Sequence, residues 1–220
     1  MSNTRSVLTL AFLVGSLGFA PAAFAGKKET APPDPCAVTA PAIKNSGIPE
    51  MDAVFTKASA LQASVATQTT EVCGARTHLN EALGIAKDAP VGTAFNDLKA
   101  KAMGKVKIAT GGAMPKLEAS EAMPENVQAA IDAANAMIEV SGRAAKETAG
   151  MLPEAKALGA TAAGFPMKVP TMKVDGVDIP TALKVVGDNV KAIKQLPNQI
   201  EGLGNEMKMV VTAATGAFGG

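Results

Sequence analysis

The sequence predicts an all-α protein: an elongated antiparallel helical bundle of three long helices plus one short helix, with a small extended or hairpin crossover near residues 166–179. Three observations lead there. Apolar residues recur by threes and fours over long stretches, the spacing that lays one stripe along a helix. The stripes are rich in Ala with occasional Gly, as at Gly74, Gly142, Gly187 and Gly204, which lets helix axes approach closely. A hairpin signature is carried by "MKVDGVDI", where Asp175-Gly176 offers a two-residue turn, while Pro166, Pro170 and Pro180 argue against helix through the whole crossover.

The first helix follows from a seven-residue recurrence at Met51, Ala58, Val65, Val72, Leu79 and Ala86, interleaved with Val54, Leu61, Gln68, Ala75 and Ala82. Phe55 and Leu83 lie beside this stripe, and the pattern predicts about 38 helical residues, roughly 57 Å of rod. A second, shorter helix is expected from Thr93, as N-cap, to about Ile108. The third begins at Pro124 and runs through Val127, Ile131, Ala134, Ile138, Ser141, Ala145, Thr148 and Leu152. Pro153 should break or kink it before an alanine-rich continuation to about Ala163. The fourth begins near Pro180 and carries Leu183, Val186, Val190, Ile193, Ile200, Leu203, Met207 and Val210, with a kink expected at Pro197.

Ahead of the bundle the composition changes twice. Residues 1–25 have one charge at Arg5, an apolar run from Val7 to Ala20 and an Ala-Phe-Ala ending, the layout of a cleavable signal peptide. Gly26 stands where a lipoprotein would need cysteine. Residues 26–47 hold four prolines and little apolar periodicity, so they read as an extended Pro-rich tether. The bundle domain is then expected over 48–215, with a frayed tail at 216–220. No apolar run after the signal reaches the roughly 18 residues that span a bilayer, so no transmembrane helix is expected in the mature chain and its place is periplasmic or secreted.

Charge and aromatic content exclude several classes. Of 21 basic and 20 acidic residues only Arg5 falls in the signal, so the mature chain is close to neutral. There is no Trp or Tyr, and after residue 25 the only aromatics are Phe55, Phe95, Phe165 and Phe218. Bulk electrostatics and the shortage of stacking faces both argue against nucleic acid as a partner.

The residues that could carry chemistry are few. Cys73 and His78, in "EVCGARTHL", are five apart and would project about 140° from each other on a helix, so they form no thiolate–imidazole pair. One His and two Cys leave a zinc shell incomplete, and Met207 and Met209 would point about 200° apart, which disfavours a thioether copper site. Asp175 and Asp178 are too few ligands for calcium. Neither a phosphate loop nor a nucleophile elbow is present, so no catalytic residue, cofactor or metal is expected.

Two cysteines on an exported chain suggest one bridge, Cys36 to Cys73. The reach allows it: 24 residues of helix from Pro49 to Cys73 cover about 36 Å, and the 13 residues from Cys36 to Pro49 extend to about 43 Å. Closing that loop would stabilise the fold by roughly 4 kcal/mol in the chain-entropy model. Lys99, Lys101, Lys105 and Lys107, with Lys116, form a basic cluster that could contact an anionic surface, or simply be a solvated face.

The functional expectation is an exported non-enzymatic helical protein acting as a scaffold, spacer or protein-binding module in the cell envelope. Its expected partner is an envelope protein or a second copy of itself, with weak lipid contact at most. The alternative is a periplasmic carrier or chaperone for lipid or unfolded apolar segments, hinged at Pro153, Pro197 and the crossover.

Overall fold

The computed structural model describes residues 34–37, 40–109 and 114–219. The signal-peptide assignment of residues 1–25 and the first part of the tether lie outside them. The described chain is an all-α bundle with one small hairpin.

Helix α1 spans Pro49–Leu83, α2 Val91–Ala102, α3 Glu125–Thr148, α4 Met151–Ala162, α5 Phe165–Lys168 and α6 Ile179–Phe218. Strands β1, Val106–Ala109, and β2, Lys116–Ala119, pair antiparallel with Ile108 opposite Leu117. The N-terminal half of α1 packs with α4 and the first half of α6, and its C-terminal end packs with the start of α3 and the end of α6. Helices α1 and α6 are therefore parallel, and α3 with α4 runs down between them.

Local chemistry explains the boundaries. Pro49 occupies the first turn of α1, where its missing N–H costs nothing, and the Asp52 carboxylate accepts the N–H of Ser46 (2.6 Å) and of Gly47 (3.1 Å). Gly47 makes the turn into the helix with φ +82°. At the other end Gly84 adopts the left-handed conformation, the Gly84 amide donates to Glu81 and the Ile85 amide to Asn80, a pairing that stops the helix. The helix thus closes at Leu83, short of the Ala86 that the heptads reach.

Four further expectations shift. Met103 and Gly104, both at positive φ, end α2 early, so residues 106–109 become a strand and the hairpin lies at 106–119. Pro90 rather than Thr93 precedes α2. Within the expected crossover no strand forms: Pro166 and Pro170 sit in the first turns of α5 and of a following 3-10 turn, Val169–Thr171, where proline is tolerated. Asp175-Gly176 makes a turn without flanking strands, and Asp178 caps α6 by accepting the Thr181 amide (3.1 Å). At the C-terminus α6 continues to Phe218, which is buried, through the residues expected to fray from 216 onward.

The prolines act as follows. The third helix breaks at Ala149–Gly150, and Pro153 falls in the first turn of α4, while α6 runs through Pro197 as one helix of 40 residues. Leu183 lies on the rim and Ala182 takes the core position, just as Ala144 replaces Ala145 in α3.

The apolar core falls into a large cluster at each end, one around Phe95, Leu98 and Ile138, the other around Phe55, Ile193 and Leu196. Between them only Val72, Ala144, Leu203 and Met207 form a small third cluster. That waist carries buried polar groups: Gln68, Arg76, Ser141, Thr148 and Glu206.

Candidate functional site

The N-terminal segment, residues 34–37 and 40–47, with a 3-10 turn at Pro35–Ala37, lies as a strap along the groove between parallel α1 and α6. Cys36 reaches Cys73 on α1, and the two form a disulfide with their Cα atoms 5.7 Å apart. The tether thus runs back along the first helix as its length allowed. Lower down, Gln62 of α1 donates to the Pro41 carbonyl (2.9 Å). Asn189 of α6 accepts the Lys44 N–H (2.9 Å) and donates to the Lys44 carbonyl (2.5 Å). Ile43 and Ile48 pack against the lower apolar cluster, so this part of the strap is anchored by burial as well.

The same device recurs elsewhere. Asn135 of α3 holds both main-chain groups of Leu117 in β2, at 2.7 and 3.0 Å, and Asn80 donates to the carbonyls of Lys87 and Ala89. Each of these asparagines fastens one segment outside the helices to a helix. A side-chain amide suits this because it carries a donor and an acceptor at the spacing of a peptide group.

At the upper end of the strap lies a buried charge cluster of the waist. Arg76 is only 6 % exposed and its guanidinium bonds two carboxylates. One terminal nitrogen lies 3.1 Å from Glu206 of α6 and 3.3 Å from one Asp34 oxygen, and the other lies 3.0 Å from the second Asp34 oxygen. The fork geometry explains why arginine stands here, since lysine could not hold a carboxylate through two parallel bonds. Partial burial pushes the Asp34 carboxyl up, but the bond from Arg76, the Cys36 amide and the arginine charge outweigh it and leave it below its ordinary value. Burial lowers the Arg76 pKa while the two carboxylates raise it further, so the group stays charged. The Arg76 Nε is buried without a partner.

Beside the strap the groove widens to about 1490 Å³. Its walls include Gln62, Thr69 and Thr70 of α1 and Gln195, Asn198 and Gln199 of α6. The two threonines satisfy their hydroxyls on their own helix and Gln62 already bonds the strap, leaving the Gln195, Asn198 and Gln199 amides of this set, beside the charged Lys87, Asp88 and Glu201 that also line the groove. Comparison with protein-family models, with curated proteins and with solved structures finds no match. The geometry of the strap and groove therefore carries the functional argument alone.

The other singled-out residues are dispersed. His78 is exposed, Met207 is buried while Met209 is on the surface, and among the described residues no three His, Cys, Asp or Glu side chains converge as metal ligands. No described helix is long and apolar enough to cross a membrane. The basic cluster is divided by its neighbours: Lys101 bonds Asp97 (2.7 Å) and the Leu83 carbonyl, Lys105 pairs with Glu121, and Lys107 stands across the hairpin from Glu118. Lys99 remains exposed on α2. Local acids thus meet much of the positive charge that a contact with an anionic surface would use.

Asp34, Arg76, Glu206, Asn189 and Gln62 are site residues that the heptad reading passes over. The signal for Arg76 was its position one place after Ala75 on a stripe that drifts as it climbs.

Proposed function

We propose that this chain is an exported, non-enzymatic protein that acts as a scaffold or protein-binding module in the cell envelope, with the α1–α6 groove as its contact surface. The observation that carries this reading is an extended chain segment seated between two parallel helices through side-chain bonds to its main chain. A groove that holds one polypeptide strand by its peptide groups has the chemistry to hold another. Export is supported by the Cys36–Cys73 disulfide, a bond that persists in oxidising compartments.

The test is a photocrosslinking amino acid placed at Gln199 in the groove and at Lys146 on α3, in intact cells. A protein adduct of defined mass from position 199, missing from position 146, is the expected result. Equal adducts from both positions would remove the groove as the contact surface, and lipid adducts from 199 would favour the carrier alternative.

A further inference from the structure

The strap is fastened unequally along its length. Its lower part is held by the Asn189 clamp, by buried Ile48 and by Ser46, which is 8 % exposed. Its upper part has the disulfide, the Gln62 bond to Pro41 and the ion pair of Asp34, whose side chain is 42 % exposed. A half-exposed ion pair contributes little by itself. The covalent bond is therefore what keeps the upper strap over Arg76, and both of its cysteines are only half-buried.

We propose that the upper strap, residues 34–37 and 40–42, is a redox-released cover on the groove, and that the Arg76 fork beneath it is the seat for a carboxylate of the partner segment. A dithiol reductant transfers two electrons and two protons to Cys36–Cys73, giving two protein thiols and the reductant's own disulfide. Asp34 then leaves Arg76, which keeps Glu206 through one terminal nitrogen and presents the vacated bidentate position with both. Asp34 is in this sense a built-in stand-in for the ligand. The inference rests on the groove being the contact surface and names how that surface is opened and what it reads.

Arg76 and Arg143 are the two arginines after residue 25, and the Arg143 side chain is 51 % exposed, so it serves as an internal reference. The full chain is treated with phenylglyoxal before and after dithiothreitol, with mass spectrometry of both arginines, alkylation of freed thiols and circular dichroism of each sample. The expected result is at least a tenfold rise in Arg76 modification relative to Arg143 on reduction, with helicity retained and both cysteines alkylated. Cys36→Ser should show the same exposure without reductant. A synthetic peptide of residues 34–42 carrying Cys36→Ser, at millimolar concentration, should restore protection of Arg76 in the reduced protein, and its Asp34→Asn form should not. Continued protection of Arg76 with both thiols alkylated would overturn the cover, as would exposure that appears only when helicity is lost. Equal protection by the two peptides, or by neither, would overturn the carboxylate seat. If Arg76 opens as expected while Gln199 captures no protein in cells, the contact-surface reading fails and the cover stands, so the two are separable.

Discussion

The two ends of the bundle and its waist share α1 and α6 but are built by different means. At the ends, aromatic and branched side chains such as Phe55, Phe95, Ile193 and Leu196 fill the space between helices and are nearly inaccessible. At the waist the helices meet through four apolar residues, the Arg76–Glu206 pair and a Gln68–Glu147 bond, and the strap is tied on by Asp34 and the disulfide. Apolar packing is non-directional and supplies most of the stability, whereas polar contacts are directional and fix register. The ends hold the bundle together, and the waist determines how the helices and the strap are aligned.

The largest effect should come from the ends. Phe95→Ala, at a site with no exposed surface, should cost about 4 kcal/mol through lost burial and the cavity left behind, measured as a shift in the urea unfolding midpoint at constant slope. A cost under about 1 kcal/mol would mean that the upper cluster collapses to fill the space, and that the contrast with the waist is overstated.

Next comes the buried ion pair. Glu206→Ala should destabilise by about 3 kcal/mol because Arg76 loses its buried partner and keeps only half-exposed Asp34. The paired change Arg76→Met with Glu206→Leu should recover most of that loss while loosening the strap, seen as faster amide exchange in residues 34–37. If the apolar pair kept the strap as well protected as before, the waist charges would have no role in alignment.

Asn189→Ala should cost about 2 kcal/mol, since it strips partners from two main-chain groups of Lys44, and exchange of the Lys44 amide should rise while the upper cluster stays protected. Unchanged exchange at Lys44 would show that burial of Ile43 and Ile48 holds the lower strap without the clamp.

The smallest effect is the pH response of Asp34. Its carboxyl titrates lower in the folded chain than in the unfolded chain, near 3.9, so its contribution is complete above about pH 4 and fades as pH falls through the folded value. With the group partly solvated this should amount to less than about 1 kcal/mol. Asp34→Asn should therefore differ from the parent in urea midpoint near neutrality and converge with it in acid. A difference that persists unchanged in acid would assign the strap's hold to contacts other than this carboxylate.

Much of the fold was legible because it rests on periodicity. The long helices and the start of α6 follow from stripes and prolines and the disulfide from chain reach, whereas the break in the third helix was expected at Pro153 and falls instead at Ala149–Gly150. The waist was harder to read for a geometric reason. A strict heptad advances by 3.5 residues per turn and a straight helix by 3.6, so the buried face of α1 passes from Met51 and Phe55 to Val72, Arg76, Leu79 and Leu83 rather than through Ala75 and Ala82. That one-place drift moves Arg76 into the core. Glu206, beside Leu203 and Met207, is buried by the neighbour it pairs with, and no local pattern in α6 announces a partner 130 residues away. The hairpin was missed because each strand has four residues, too short for alternation to stand out, while Asp175-Gly176 carried the stronger turn signal without partners to pair across it.

The asparagine clamps have a consequence for how this chain can change. Asn189 holds its segment by the peptide groups of Lys44 and leaves that side chain out of the fastening, Asn135 does the same for the main chain of Leu117, whose side chain is also buried in the upper core, and Asn80 holds the α1–α2 connection through two carbonyls. Exposed positions in these segments, Lys44 and Lys87 among them, are therefore free to vary in sequence while the path of the chain stays fixed. Fixed routes with replaceable surfaces give the bundle places where new recognition residues can be written without rebuilding its core.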